Sequence, residues 1–439
     1  MKANWKECQL GDCVTLLSGG TPSKSRNDYW DGDLPWVSCK DMKLDRIYDA
    51  QDHLSPLGAK NGTRVVPENT ILFVVRGMIL ANSFPVAITK RPVAFNQDLK
   101  AVTCADFVET EFLYYWLKAN SYEILGRADE AGHGTKRIQT DRLLSLPIRI
   151  PSPLVQRRIA GILSAYDDLI ENNQRRIKIL EEMARSLYRE WFIHFRFPTG
   201  NEPSLGSSSH PLPMGEGWGE GAVKLVGSPL GPIPQGWEVK KLGDLTALLN
   251  RGISPTYDDE GGDSKVINQK CIRDQRLSLE PARRQSKPIT PDKCIRFGDV
   301  LINSTGVGTL GRVAQVYEDL DQCTVDTHVT IVRPKADTDV DFFGCALLLK
   351  QEDFERLGIG ATGQTELSRT AIGEVKIPAP PDSLQKYFGT FAHPMRTAAN
   401  TLSKQTKNLR RTRDLLLPRL LSGAIELSNV GTSGTQEIA

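Results

Sequence analysis

RRIAGILSAYDDLIENNQRRIKILEEMARSLYREWF, residues Arg157–Phe192, is one uninterrupted helical pattern in the middle of a 439-residue chain. Ile159, Leu163, Tyr166, Ile170, Asn173, Ile177, Leu180, Ala184, Leu187 and Trp191 step by alternating fours and threes. That spacing is a coiled-coil heptad, whose apolar seam must face another helix to leave water. Asn173 is the polar exception, and a polar seam residue fixes register at some cost in stability. An ordinary bundle helix would also be amphipathic. Length argues for the coiled coil, because the seam runs for roughly 33 residues, or roughly 50 Å at 1.5 Å per residue.

The partner is sought elsewhere in the chain. Phe388, Met395, Leu402, Leu409 and Leu416 recur every seven residues near the other end. Pro394 is expected to kink or delay this second helix, and Pro418 to end it. The two helices are similar in length and each lacks a mate. The simplest arrangement pairs them antiparallel within one chain.

Working outward, the rest of the chain repeats. Trp5, Leu10-Gly11-Asp12 and Leu16-Leu17 recur at one constant offset as Trp237, Leu242-Gly243-Asp244 and Leu248-Leu249. NTILFVVRG (69–77) matches GDVLINSTG (298–306) at a slightly shorter offset, and RIPSPLVQRRI (149–159) matches KIPAPPDSLQKYF (376–388) with Gln156 on Gln385 and Ile159 on Phe388 at that same offset. The two heptad seams superpose at that same shorter offset, Tyr166 on Met395 and Leu180 on Leu409. Solenoid repeats are far shorter, so a whole module has been duplicated. Within each module TILFVV, PVAIT, DVLIN and RVAQVY read as strands, and FLYYWLKAN (112–120) and FFGCALLLK (342–350) as one short helix per block. The expected fold class is α+β: two duplicated mixed α/β globular domains separated by two long helices forming an antiparallel coiled coil.

The expected boundaries are 1–150 for the first domain, 151–197 for the first long helix and 198–235 for a linker. The second domain then covers 236–377, the second long helix 378–425 and a tail 426–439. The linker includes PTGNEPSLGSSSHPLPMGEGWGEG, whose Gly, Ser and Pro content predicts flexibility.

Composition narrows the function. Charged residues make up 25% and apolar ones 39%, ordinary for a globular protein. The net charge of +2 provides no strong basic field, but Arg396, Lys404, Lys407, Arg410, Arg411, Arg413 and Arg419 crowd one stretch against Asp414. Such a run is also what a solvated helix face looks like. The eight cysteines contain no C-x-x-C, so reduced thiols in the cytoplasm are expected. MKANWKECQLGDC lacks the apolar core of a signal peptide, and ILFVVRGMIL is too short to span a membrane.

Catalytic patterns fail one by one. GVGTLG (306–311) matches a dinucleotide fingerprint by letter, but that fingerprint needs a helix to follow. Here RVAQVY alternates like a strand, so the glycines are expected to form a hairpin turn. DEAGH (129–133) resembles a helicase box, yet no phosphate-binding G-x-x-x-x-G-K-[ST] loop accompanies it. An amino-methyltransferase [DNS]-P-P-[YFW] pattern is absent, and the six histidines are scattered. The expectation is a chain with no catalytic site and no metal site of its own.

The Trp…Leu-Gly-Asp opening of each half, the glycine turns after the TIL and DVL strands and ATGQTELSRTAIGEVKIPAPP (361–381) precede a long helix each time. The chain then runs through RDLLLPRLLSGAIEL. In this order and duplication it resembles the specificity subunits of Type I restriction–modification enzymes over nearly its whole length. The family's Pro-Glu-Gln-like helix start is reduced here to Gln156 and Gln385, and the Gly/Ser linker is longer than usual. The resemblance implies that each block is a target recognition domain reading one half of a split double-stranded DNA site. It implies that the paired helices act as a spacer and dock methyltransferase subunits, two of them expected, with restriction–motor subunits joining the complex. S-adenosylmethionine, ATP and Mg would then belong to those partners, and this chain would carry no cofactor. At ~3.4 Å per base pair, a ~50 Å spacer would set the blocks about a turn to a turn and a half apart on DNA.

Base edges are read by Arg, Lys, Asn and Gln on turns. The candidates are Lys24, Arg26, Lys40, Arg76, Lys136 and Arg137 in the first block. In the second they are Arg251, Lys265, Asn268, Lys270, Arg273, Arg312 and Gln364. The helix-pair seam is assigned to Ile159, Leu163, Tyr166, Ile170, Asn173, Ile177, Leu180, Leu187, Phe388, Met395, Leu402, Leu409 and Leu416. Two other classes are compatible with the residues: a self-contained DNA methyltransferase or nuclease, separable by assaying the chain alone with methyl donor or metal, and a coiled-coil protein scaffold, separable by duplex-DNA binding.

Overall fold

The computed structural model describes residues 5–130, 135–198, 224–360, 365–425 and 427. The chain divides into two compact units. Unit 1 is Met1–Glu171 with Thr406–Ala439, and unit 2 is Asn172–Gln405. The fold class is the expected one: mixed α/β blocks, duplicated, with two long helices paired antiparallel.

In unit 1 the main sheet has five strands in the order Val14–Ser18, Leu99–Cys104, Ile71–Val74, Val86–Thr89, Arg46–Ile47. Ile71–Val74 is buried along its whole length, which explains why it reads as a continuous apolar run. A second sheet orders Asp52–Leu54, Leu34–Val37, Val93–Phe95 and Arg64–Val66. Helix α1, Thr110–Ala119, buries Phe112 through Leu117 against the same core.

Unit 2 repeats this plan. Its main sheet orders Thr246–Arg251, Val329–Pro334, Val300–Asn303 and Val313–Gln315, the same sequence of equivalents. Its second sheet orders Arg283–Gln285, Ser264–Ile267 and Cys323–Val325, again with the parallel pair retained. GVGTLG links two antiparallel strands as expected, with Gly306, Gly308 and Gly311 all at positive φ.

Helix α2, Pro153–Phe192, therefore supplies residues 153–171 to unit 1 and 172–192 to unit 2. Helix α3, Val340–Leu349, is the unit 2 equivalent of α1. Helix α4, Asp382–Leu421, is the second long helix. Inside unit 1, Ile159 and Leu163 share a core with Leu416, Leu417 and Leu420, and Arg413 reaches back to Asp167. Inside unit 2, Ile177 meets Ala399 and Leu402, while Trp191 and Phe388 lie 5.9 Å apart. Rising numbers on α2 meet falling numbers on α4 in both units, so the packing is antiparallel in each.

Of the assigned seam, Ile159, Leu163, Ile170, Asn173, Ile177, Phe388 and Leu402 are buried, and the other six residues are half-buried. Asp167 and Tyr188 take the buried places next to Tyr166 and Leu187. An α-helix drifts ~20° per heptad from a 3.5-residue repeat. The globular blocks also claim the drifting face: Tyr115 donates to Asp167 Oδ2 at 2.7 Å, and Tyr188 packs 5.7 Å from Phe342.

Three sequence expectations need correcting. Pro394 does not delay α4, which begins at Asp382, and Pro418 does not end it, since Leu421 is still helical. A proline forfeits one backbone donor, and packing of Phe388, Ala392, Ala399 and Leu420 in buried clusters outweighs that loss. The linker does not reach residue 235. Leu225–Ser228 pairs antiparallel with Gly231–Pro234, because Gly231 at φ 94° permits the tight turn and Ile233 is buried. Residues 199–223 of that assignment, and the 426–439 tail apart from Leu427, lie outside the described residues. Among the described residues no helix is long and apolar enough to cross a membrane.

Candidate nucleic-acid interface

The retained glutamines anchor the long helices. Gln156 is fully buried. Its Nε2 donates to the carbonyls of Pro151 and Phe107, both at 2.9 Å, and its Oε1 accepts from Glu109 N at 2.8 Å. Gln385 Nε2 makes the equivalent bond to Pro380 O at 2.9 Å, but its Oε1 has no partner. Each side chain ties the helix start to the loop that leaves the block. Chain duplication made both positions visible in sequence, but their role required the fold.

At the end of the central strand of unit 1 the backbone forms a small three-stranded ladder. Arg76–Gly77 pairs with Lys136–Arg137, which pairs with Asp129–Glu130. Three candidates, Arg76, Lys136 and Arg137, are thus brought together, with Arg76 directly opposite Arg137. Their acids are partly occupied: Asp129 receives Arg142 at 2.8 Å and Gln139 at 2.6 Å. Lys24 and Lys40 are exposed on separate turns. Arg26 is engaged with Asp28 at 2.5 Å and lies 4.7 Å over Tyr29.

Unit 2 keeps the ladder and changes its chemistry. Thr305 bridges Glu366, and Glu366 bridges Ile359; in the repeat these three stand where unit 1 has Arg76, Arg137 and Glu130. Arg251 pairs with Glu366 Oε1 at 2.6 Å and donates to Leu367 O at 3.1 Å. Beside it opens a polar depression of about 420 Å³, lined by Asn250, Arg251, Gly252, Lys293, Glu366, Ser368, Arg369 and Thr370. Arg369 donates to Asn250 Oδ1 at 2.8 Å, and Lys293 Nζ to Gly252 O at 3.1 Å. Burial pushes the Lys293 ammonium below its ordinary value, and Arg369 adds to the effect. Three basic side chains thus converge around one carboxylate, Glu366, which already engages Arg251. Lys293 and Arg369 were not among the sequence candidates; they lie remote in sequence from Arg251, and only folding joins them.

The remaining unit 2 candidates are dispersed. Lys265, Lys270 and Arg273 are exposed. Asn268 accepts from Lys270 N at 2.9 Å and donates to Pro281 O at 2.8 Å, so its amide is engaged in its own turn. Arg312 donates to Gly308 O at 2.7 Å. Gln364 lies outside the described residues.

Buried polar clusters fasten the long helices to the blocks. In unit 1, Asp167 of α2 joins Arg413 of α4 to Tyr115 of α1. In unit 2, Asp341 of α3 meets His393 at 3.0 Å, Arg396 at 3.6 Å and the Tyr317 hydroxyl. Burial, more than the neighbouring charges, raises the pKa values of Tyr115 and Tyr317, so both hydroxyls remain protonated donors.

Two duplicated mixed α/β blocks with diverged polar ladders, each packed on a stretch of two antiparallel long helices, define the architecture. The model of the family described as Type I restriction modification DNA specificity domain matches residues 2–182 and 234–409, and the chain belongs to that family. It is 26% identical to the Type I restriction enzyme MjaIX specificity subunit of Methanocaldococcus jannaschii, over 97% of this chain and 95% of that one. It is 31% identical to the EcoR124I/EcoR124II specificity subunit of Escherichia coli, over 45% of this chain and 50% of that one. The crystal structure of the S subunit from M. genitalium shares the fold, with a TM-score of 0.61 at 18% identity and coverage of 95% and 96%.

Proposed function

We propose that this chain is the non-catalytic, sequence-reading subunit of a Type I restriction–modification complex in the cytoplasm. Each block reads one half of a bipartite, asymmetric DNA target, and the helix pair acts as the spacer that sets the unread gap. The helices also dock methyltransferase subunits, to which restriction–motor subunits add. S-adenosylmethionine, ATP and Mg belong to those partners.

One observation carries the reading. The two units share strand order down to the ladder at the end of the central strand, yet that ladder presents Arg76 and Arg137 in one and Thr305 and Glu366 in the other. A common scaffold with unlike side chains suits two different half-sites. Arginines favour guanine O6 and N7 or phosphates, whereas threonine accommodates several base edges.

The test is insertion of one heptad between Ser164 and Arg185, with a matching heptad in α4, followed by mapping of methylated sites in cells carrying the methyltransferase subunit. The gap should lengthen while both half-sites persist. An unchanged gap would reject the spacer, and unchanged methylation after deleting the chain would reject the specificity role.

A further inference from the structure

Met78 and Val307 occupy equivalent positions in the repeat, and both are left in water: Met78 is 72% exposed and Val307 84%. Isolated exposed apolar residues are common on proteins. This pair is different because it is duplicated. Leu44, 70% exposed, has Arg273 as its counterpart, and Ile359, 79% exposed, has Glu130. Among the described residues no other pair at this offset is large, apolar and exposed in both units.

The local backbone is similar in plan and differs in detail: Met78 opens the short 3-10 helix Met78–Ala81, and Val307 lies in the turn between two strands. Each follows a glycine at positive φ, Gly77 at 152° and Gly306 at 103°. Each stands two residues past the ladder residue, Arg76 or Thr305, where the chain leaves its main sheet. The turn in unit 2 is held from several sides. Gln269 Nε2 donates to Thr305 O at 2.7 Å and to its Oγ1 at 2.6 Å. Thr305 Oγ1 also lies 2.8 Å from His328 Nδ1, and Arg312 secures Gly308 O. In unit 1, Val75 N donates to Asp98 O at 2.8 Å, Ile138 N to Val75 O at 2.9 Å, and Leu80, two residues on from Met78, is buried.

We infer that Met78 and Val307 are specificity residues that read the 5-methyl group of thymine, one in each half-site. The inference rests on the DNA-reading role proposed above. Neither side chain forms useful hydrogen bonds with base edges, so the donor and acceptor code is closed to both. The thymine methyl is the apolar mark in the major groove. Arg76, Lys136 and Arg137 beside Met78 supply the charge that brings DNA to this edge. Val307 lies between Gly306 and Gly308 and is exposed.

The test uses the full chain with its methyltransferase subunits and duplexes bearing the site mapped by methylation sequencing. Thymines in each half-site are replaced singly by deoxyuridine, which deletes the methyl and keeps every hydrogen-bonding group. At one thymine per half-site, binding should weaken about fourfold, the loss expected for one methyl taken from apolar contact. Val307→Ala should abolish that sensitivity in one half-site and Met78→Ala in the other, with thermal midpoints unchanged because both residues are exposed. A half-site without thymine, deoxyuridine insensitivity of the wild type, or sensitivity that persists in the alanine variants overturns the inference while leaving the specificity role intact. If the wild-type complex prefers no site at all, the specificity role itself fails.

Discussion

The ladders of units 1 and 2 differ where their surroundings agree. Strand order, the glycine after the ladder residue and the helix-anchoring glutamine are all common to both. The charges are not: Arg76 and Arg137 face each other in unit 1, whereas Glu366 in unit 2 is neutralised by Arg251. Duplicated backbone pairing tolerates side-chain divergence because its hydrogen bonds are made by groups every residue carries. Buried packing does not tolerate it as readily, so the cores keep their apolar pattern. The lesson is that one module can be copied as a scaffold and diverge as a reader.

The largest expected effect probes how each unit grips the long helices. Arg413→Ala should destabilise unit 1 by about 3 kcal/mol, because it leaves Asp167 buried with Tyr115 as its remaining partner. Urea denaturation monitored by a probe in unit 1 checks it. A loss near zero would mean that the ion pair is as replaceable as a surface pair.

The anchoring glutamines come next. Gln156→Ala removes three hydrogen bonds and strands Glu109 N and two carbonyls, so it should cost about 2–3 kcal/mol. Gln385→Ala removes one bond and also removes an orphaned carbonyl oxygen, so about 1 kcal/mol or less is expected. Equal losses would break the asymmetry argued from the two environments.

The ladder itself is tested on DNA. Arg137→Ala should weaken binding about tenfold and affect the first half-site alone. Glu366→Gln releases Arg251 and should steepen the salt dependence of binding by about one counterion. Filter binding across a salt series measures both. An Arg137 variant that altered the second half-site would reverse the assignment of blocks to half-sites.

The smallest effect at neutral pH concerns a core position. Cys13 of unit 1 stands where the repeat places Leu245 in unit 2, and both are buried. Burial, helped by Cys8 at 3.4 Å, pushes the Cys13 thiol from 9.0 up to about 12. Below pH 9 both folded and unfolded chains keep the proton and stability is unaffected. Between pH 9 and 12 the unfolded chain loses it first, so stability falls as pH rises. Native Cys13 should resist alkylation at pH 8, and Cys13→Val should flatten the alkaline loss.

Much of the architecture was legible in order along the chain. The heptads at 157–192 and 388–416 identified both long helices, because a seam repeats its apolar residues whatever it packs against. Constant offsets between matching segments identified the duplication. Local rules failed at Pro394 and Pro418, where packing on distant residues overrode a helix breaker. They also failed at Asp167 and Tyr188, which the blocks draw into the buried face. The candidate site was only partly legible. Arg76 meets Arg137 across a stretch that holds three strands of the two sheets and helix α1, and Lys293 with Arg369 at Arg251 joins three separate segments.

By itself, then, the sequence determined the modules, their repetition and the need of each helix for a partner, since these follow from periodicity and composition. Tertiary structure decided which polar side chains converge and which are already satisfied. Arg26 and Asn268 are engaged internally, and Met78 and Val307 are held out in solvent. That division has a physical cause: burial of apolar faces leaves a periodic trace along the chain, whereas a polar site is a meeting of residues with no fixed spacing.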